Sequence, residues 1–364
     1  MFTMKIITAI DSFKGSLSSA EANSAAARAI ARVIPQCDVR EIAVSDGGEG
    51  WLEACARTFG GRMEQVTVSD PLGRPIRAAY LQSGDMAVVE VAQACGLTLL
   101  APHERNPLVA DTRGVGQLLL HAMKSGCRRI VVGLGGSATC DAGLGMLQVL
   151  ADEFAPFGGM TALSDLHGVD FVIASDVQNP LLGTMGAAKV FAPQKGATRQ
   201  MVEELEERAC RFVALSGSAM GFDRSQEAGA GAAGGLGYAF LQYLNATYVS
   251  GAEWLMESAR FKEELQTASL VVTGEGSADA HTLMGKLPFR LMKNACLHQV
   301  PTVLLAGRVS ELEALLAAGF HDVLCINPPE ETSSGQHCLS RASLRLETTL
   351  CEYLSQSFCR KYHR

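Results

Sequence analysis

The stretch Lys5-Ile-Ile-Thr-Ala-Ile-Asp-Ser-Phe-Lys-Gly-Ser-Leu-Ser-Ser-Ala-Glu21 decides the fold class. Its apolar run, Lys5–Ile10, breaks at Asp11 and reads as a buried strand. Ser18-x-x-Glu21 is a capping box that opens an alanine-rich helix over roughly 19–34. Val39–Val44 reads as a second strand, followed by the loop Ser45-Asp-Gly-Gly-Glu-Gly50 and a helix through Phe59. Strand, helix, strand, helix in this order predicts a parallel sheet with helical crossovers.

Further along, the style changes. Arg62–Val68, Ile76–Leu81 and Met86–Val91 read as strands joined by turn signals such as Asp70-Pro-Leu-Gly73, with no helix between them. That predicts a mixed or antiparallel sheet. Arg129–Val132 and Phe171–Ser175 are further strands, and Thr198–Leu215 a long amphipathic helix. Regular α/β order returns with strands at Ser269–Thr273, Thr302–Leu305 and Val323–Ile326, a helix near Leu287–His298 and a closing helix over 340–358. Pro328–Gln336 reads as a polar surface loop. The expected layout is a discontinuous outer domain, 1–68 with 268–364, and an inserted mixed α/β domain, 69–267.

The composition narrows the function. A chain of 364 residues with 48% hydrophobic and 19% charged content can bury two cores. Its net charge of −7 argues against a nucleic-acid or anionic-membrane surface. Eleven cysteines, an odd number with no Cys-x-x-Cys pair, read as reduced thiols in a cytoplasmic protein. No secretory signal and no membrane-length apolar run is visible.

Five loops combine glycine, which lets backbone N–H groups approach a phosphate, with hydroxyl, acidic or basic residues. Asp11-Ser12-Phe-Lys14-Gly-Ser16 reads as an anion cradle or as a polar βα turn. Asp46-Gly47-Gly48-Glu49-Gly50 carries two carboxylates three apart, a pattern that suits Mg²⁺ or a hydroxyl to be oriented better than a simple turn. Gly133-Leu-Gly135-Gly-Ser137-Ala matches the relaxed dinucleotide fingerprint, but Asp152, at the required distance, falls in a helical pattern. A phosphate loop with Ser137, Thr139 and Asp141 fits better. Gly229-x-Gly231-x-x-Gly234 follows no strand; it suits ATP phosphates or close packing through small residues. Thr273-Gly274-Glu275-Gly276 ends a strand, with Asp279 and Lys286 beyond it. No Gly-x-x-x-x-Gly-Lys-Ser/Thr P-loop occurs in the chain. Alone, Asp176 beside Asn179 reads as a turn-former and Lys195 as a solvated lysine.

Taken in order, these segments and the stretches Asp176-Val-Gln-Asn-Pro-Leu181, Pro193-Gln-Lys-Gly-Ala197 and Gly229-Ala-Gly-Ala-Ala-Gly-Gly-Leu-Gly237 resemble the bacterial glycerate kinase family (type 1), from Lys5 to about Ile326. The resemblance implies ATP-dependent phosphorylation of D-glycerate, usually at the 2-hydroxyl. It also implies a Rossmann/flavodoxin-like domain plus a second, inserted α/β domain, with the active site in the cleft between them. Where the family carries arginine, an apolar residue, aspartate, x and glutamine after Thr-Gly-Glu-Gly, this chain has Ser277, Ala278, Asp279 and His281; Cys140 and Ala142 are further departures.

On this reading Lys14 and Ser12, beside Asp11, hold an anion. Asp46, Glu49 and Asp279 are candidates for Mg²⁺ or for the base, and Asp176 is a second candidate base. Lys195 and Lys286 neutralise ATP phosphates, with Gly47, Gly48, Gly135, Ser137, Thr139, Asn179, Gly231, Gly234, Gly274 and Glu275 lining the ligands. The partners expected are D-glycerate and ATP, with no nucleic acid and no membrane; a homodimer stays open. Two rivals remain: a nicotinamide-dependent oxidoreductase and a non-catalytic binding descendant.

Overall fold

The computed structural model describes residues 4–13, 15–155, 157–327 and 341–362. Lys14 and the loop expected at Pro328–Gln336 lie outside the described residues. The chain divides into two compact units, Met1–Ser45 with Leu255–Arg364, and Asp46–Trp254.

The first unit holds a five-stranded sheet built from β1 (Lys5–Ile10), β2 (Asp38–Glu41), β9 (Leu270–Ala278), β10 (Thr302–Val309) and β11 (Asp322–Cys325), in the order β11-β10-β9-β1-β2. Every pairing is parallel. Within this unit the order is that of the flavodoxin-type doubly wound sheet, which reverses direction between β1 and β9. Ile6 and Ile10 of β1 face the helix Ser19–Val33, whose Ala22, Ala25, Ala26 and Ala29 pack beside Leu346 and Leu350 of the helix Ala342–Tyr362. On a second cluster, Leu304 and Ala306 meet Met292, Leu315 and Phe320. Apolar layers on both faces explain why β1 and β10 read as unbroken hydrophobic runs rather than alternating ones. The capping box forms: Glu21 N–H donates to Ser18 Oγ (3.2 Å) and Ser18 N–H to Glu21 Oε2 (2.8 Å).

The second unit holds a six-stranded sheet in sequential order: β3 (Arg62–Ser69), β4 (Pro75–Ser83), β5 (Met86–Glu90), β6 (Arg129–Gly133), β7 (Asp170–Ala174) and β8 (Thr247–Val249). β3, β4 and β5 pair antiparallel; β5 to β8 pair parallel. Its core joins Tyr80, Val89, Ile130, Val132 and Ile173 to the helices Arg113–Lys124, Leu144–Phe154 and Ala232–Leu244. Among the described residues no helix is long and apolar enough to cross a membrane.

Four expectations move. The domain boundaries expected at 68/69 and 267/268 lie instead at 45/46 and 254/255. The helix Trp51–Phe59 covers the second sheet, not the first: a Cβ on Gly133 would lie 2.6 Å from the Trp51 ring, so only glycine admits the indole there. Alternation of strand and helix had assigned that helix to the strand before it; side-chain size assigns it to the sheet after it. β2 ends at Glu41 rather than Val44: Ile42 N–H still donates to Thr8 O of β1 (2.8 Å), and Ile42–Val44 continue as buried chain beyond the strand. Finally, Thr273-Gly-Glu-Gly276 does not end its strand. β9 runs on to Ala278, with Glu275 opposite Ala306 and Ser277 opposite Arg308, because Gly274 lets β10 approach: a Cβ there would lie 2.6 Å from Leu305 O.

Candidate active site

The first unit places its candidate residues at the carboxyl ends of β1 and β9, where the strand order reverses. Loops that leave such a switch point in opposite directions open a crevice that suits ligands. Asp11 N–H donates to Gly274 O (3.0 Å), and Asp11 Oδ1 accepts from Ser12 N–H (2.7 Å). Glu275 is buried, and its two oxygens accept from Thr282 Oγ1 (2.6 Å) and Lys286 Nζ (3.1 Å). Burial pushes its carboxyl up, against the opposing pull of Thr282 and Lys286. Asp279 caps the short turn Ala280–Leu283 through His281 N–H (2.8 Å), with Lys286 Nζ at 4.0 Å. Its burial would raise its carboxyl, but the His281 N–H and the Lys286 charge outweigh that and hold it low. Asp11, Ser12, Gly274, Glu275, Asp279 and Lys286 therefore form one neighbourhood.

The second unit gathers another set at the carboxyl ends of β5, β6 and β7. The Asp46–Gly50 and Gly133–Thr139 loops touch backbone to backbone: Gly135 N–H donates to Gly47 O (3.0 Å), and a Cβ on Gly135 would lie 2.1 Å from Gly48 Cα. Asp46 Oδ1 accepts from Gly48 N–H (2.9 Å), which closes the turn. Asp46 and Glu49 are exposed. Asp176 follows β7, and its Oδ1 accepts from Ser250 Oγ (2.6 Å), next to Gly251, where a Cβ would lie 2.6 Å from Asp46 O. Asn179 O accepts from Gly231 N–H (2.9 Å), which ties the Gly229–Gly237 stretch to the same group.

Lys195 is the decisive correction to a residue-by-residue reading. It is 4% exposed, not solvated. Its Nζ donates to Ser137 Oγ (2.9 Å) and Thr139 O (2.7 Å), so a buried cation is fastened to the glycine loop after β6. Gly231 and Gly234 are buried by close packing; a Cβ on Gly234 would lie 1.9 Å from Thr139 O, and Ala233, Gly234 and Gly235 form a left-handed turn to allow this. Of the two readings open for this stretch, that geometry favours packing, with the turn bracing the Thr139 loop.

Three groups escaped the sequence reading or changed role. Glu90 ends β5, is buried, and accepts from Leu52 N–H (3.1 Å). It serves the helix Trp51–Phe59 in place of a side-chain cap, since Gly50 has none. Burial, with the nearby Glu49 charge adding, pushes its carboxyl up to about 7. A single acidic residue inside an apolar strand carries no periodic signal, although Glu90 closing the run Met86–Val91 could have been noticed. Asp141 is not free for a phosphate: Thr112 N–H and Oγ1, Gly143 N–H and Gly145 N–H all donate to it, at 2.8 to 3.1 Å. Ser250, which holds Asp176, sits in no motif at all. The dinucleotide rival weakens, since Asp152 lies inside the helix Leu144–Phe154. Among the described residues no three or more His, Cys, Asp or Glu side chains stand close enough to cage a metal.

A profile of the Glycerate kinase family matches residues 6–356. The chain is 41% identical over 329 residues to the glycerate kinase of Bacillus subtilis (strain 168), covering 84% of this chain and 86% of that one. It is 36% identical over 328 residues to the glycerate 2-kinase of Escherichia coli (strain K12), covering 85% and 86%. Its structure matches a crystal structure from Salmonella typhimurium LT2, solved as a "putative glycerate kinase 2", with TM-score 0.82, 33% identity and 99% coverage of each chain.

Proposed function

Because the chain belongs to the glycerate kinase family, we propose that it transfers a phosphoryl group from ATP to the 2-hydroxyl of D-glycerate. One observation carries the reading. Lys195 buries a positive charge against Ser137 and the Thr139 carbonyl, in a glycine loop at the end of a parallel strand, with no ion pair among the described residues. A phosphate tail supplies the charge that such a cation lacks.

Phosphoryl transfer is mostly positioning and neutralisation of charge, so the parts needed are cations, a metal and a group that accepts the hydroxyl proton. Lys195 holds phosphate oxygens in the second unit, assisted by Ser137 and the backbone of Gly135. Lys286, kept in place by Glu275, does so in the first, and Ser12 offers a further anion site at the end of β1. Asp176 is the base we favour: its carboxylate is oriented by Ser250, and it accepts the proton of the attacked hydroxyl. Mg²⁺ keeps several waters and binds through one or two carboxylates plus substrate phosphates, so it needs no preformed cage. The exposed Asp46 and Glu49 fit that donor set, and Asp279 fits it in the first unit; there the ion would neutralise phosphate oxygens. The described cysteines are all free thiols, which supports a cytoplasmic setting.

The test is ³¹P NMR of the full chain incubated with D-glycerate and Mg·ATP. The reading expects ADP and a phosphomonoester on the 2-carbon. A 3-phosphate would correct the position of transfer, and binding of both reactants without ADP release would select the non-catalytic alternative.

A further inference from the structure

Arg105 lies where a segment of the second unit returns to the Gly133–Thr139 loop. The segment begins bridged to that loop, with Gly96 opposite Ser137 and Leu97 N–H donating to Gly136 O (2.8 Å). It ends against the residue after Lys195. A Cβ on Gly196 would lie 2.7 Å from Arg105 O and 3.1 Å from Arg105 Cβ, and Gly196 itself sits at φ +94°. Arg105 and Lys195 are thus neighbours beside one glycine loop.

Among the described residues neither forms an ion pair. The carboxylate next to Arg105 in sequence, Glu104, is committed to Arg74 (2.6 Å) and to Ala101 N–H (3.0 Å), and Arg74 is also held by Asp70. Among the described residues no acid pairs with Arg105 or with Lys195. Arg105 Nε is buried and has no hydrogen-bond partner. A buried, unsatisfied donor is costly, and an oxyanion that accepts from it relieves that cost. The acids nearby are engaged elsewhere: Glu104 with Arg74, and Asp141 with Thr112, Gly143 and Gly145.

We propose that Arg105 is a substrate-binding residue that grips, together with Lys195, an oxyanion of the reactants. Two sources share that chemistry: the carboxylate of the hydroxy acid and a phosphate of the nucleotide. The planar guanidinium fork suits two oxygens of either one. The role in turnover rests on the kinase reading above, but the anion site itself stands on the geometry and is tested by binding.

The experiment compares the full-length protein with Arg105→Gln, which keeps a neutral donor, and Arg105→Lys, which keeps the charge without the fork. Thermal-shift titrations use D-glycerate alone, Mg·ATP alone and inorganic phosphate alone, and steady-state rates give KM for each reactant. The expected result is a weakening of at least tenfold for one reactant in Arg105→Gln, partial recovery in Arg105→Lys, and unliganded midpoints close to that of the parent protein. Loss confined to glycerate identifies the carboxylate. In that case the preference for glycerate over the neutral triol glycerol, as a ratio of kcat/KM, also falls at least tenfold. Loss confined to ATP and phosphate identifies the nucleotide. Affinities within twofold of the parent for every probe would overturn the proposal. So would a parent protein that binds none of them, or a loss in Arg105→Lys equal to that in Arg105→Gln with lowered unliganded midpoints, which marks a structural guanidinium. A chain that binds these anions through Arg105 yet never releases ADP would refute the kinase reading and leave the anion site standing.

Discussion

Single residues here take their chemistry from burial. Lys195 in water would be an ordinary lysine; sealed against Ser137 and Thr139 it is a fixed charge at the Gly133–Thr139 loop. Replacing it with methionine preserves most of the volume and removes the charge. Lys195→Met should lower kcat/KM by about 100-fold or more, in the range seen when one electrostatic donor is lost, while circular dichroism stays unchanged. A tenfold loss or less would remove Lys195 from the phosphate site. Glu90 gives a stability signature instead. Its carboxyl is raised from 4.5 to about 7, mainly by burial, so the fold prefers the neutral form. The corresponding stability is complete below about 4.5 and is lost as the pH rises through about 7. Glu275, raised by burial as well, contributes in the same direction. Glu90→Gln should therefore flatten the fall in urea stability between acid and neutral pH, by up to about 3 kcal/mol at about 1.4 kcal/mol per pKa unit. Parallel curves for parent and variant would show that Glu90 does not titrate in this interval.

At the scale of elements, glycines decide which loops can touch. Gly135 and Gly48 meet where no Cβ fits, whereas Gly50 has open space around its Cα but adopts φ +84°. The two positions separate crowding from backbone strain. Gly135→Ala should cost about 1–3 kcal/mol, as overpacking does, and should also depress kcat by prising the Asp46 loop from the Ser137 loop. Gly50→Ala should cost about 1–2 kcal/mol, the left-handed penalty, with kcat nearly intact. Urea unfolding and initial rates on both variants check this; an unaffected rate in Gly135→Ala would disconnect the two loops functionally. The same scale shows why Thr273-Gly-Glu-Gly276 misled the reading. Glycines punctuate strands in sequence, but here they let β9 and β10 run close together, and the longer strand delivers Glu275 to Thr282 and Lys286.

At the scale of the whole chain, the second unit is one continuous piece with its own core, from Val68 to Ala246. Residues 46–254 expressed alone should unfold in a single cooperative urea transition, whereas residues 1–45 alone should not fold, since β1 needs β9 as a partner. A non-cooperative 46–254 fragment would show that the unit depends on the rest of the chain. Much of this was legible beforehand. The unbroken apolar runs named β1, β9 and β10, the capping box placed the first helix, and the ordered loops carried the family resemblance, because hydrophobic period, caps and turns are local properties. The boundary near Asp46, the burial of Lys195, the role of Glu90, the partner of Asp176 and the buried, unsatisfied Nε of Arg105 were not. Each depends on which distant backbone comes within a few ångströms, and a linear string records no such distances. The amino-acid order by itself determined the class of fold and the chemistry on offer; only the packed chain decided which of those groups are buried, paired or left waiting for a ligand, because desolvation and contact exist only after folding.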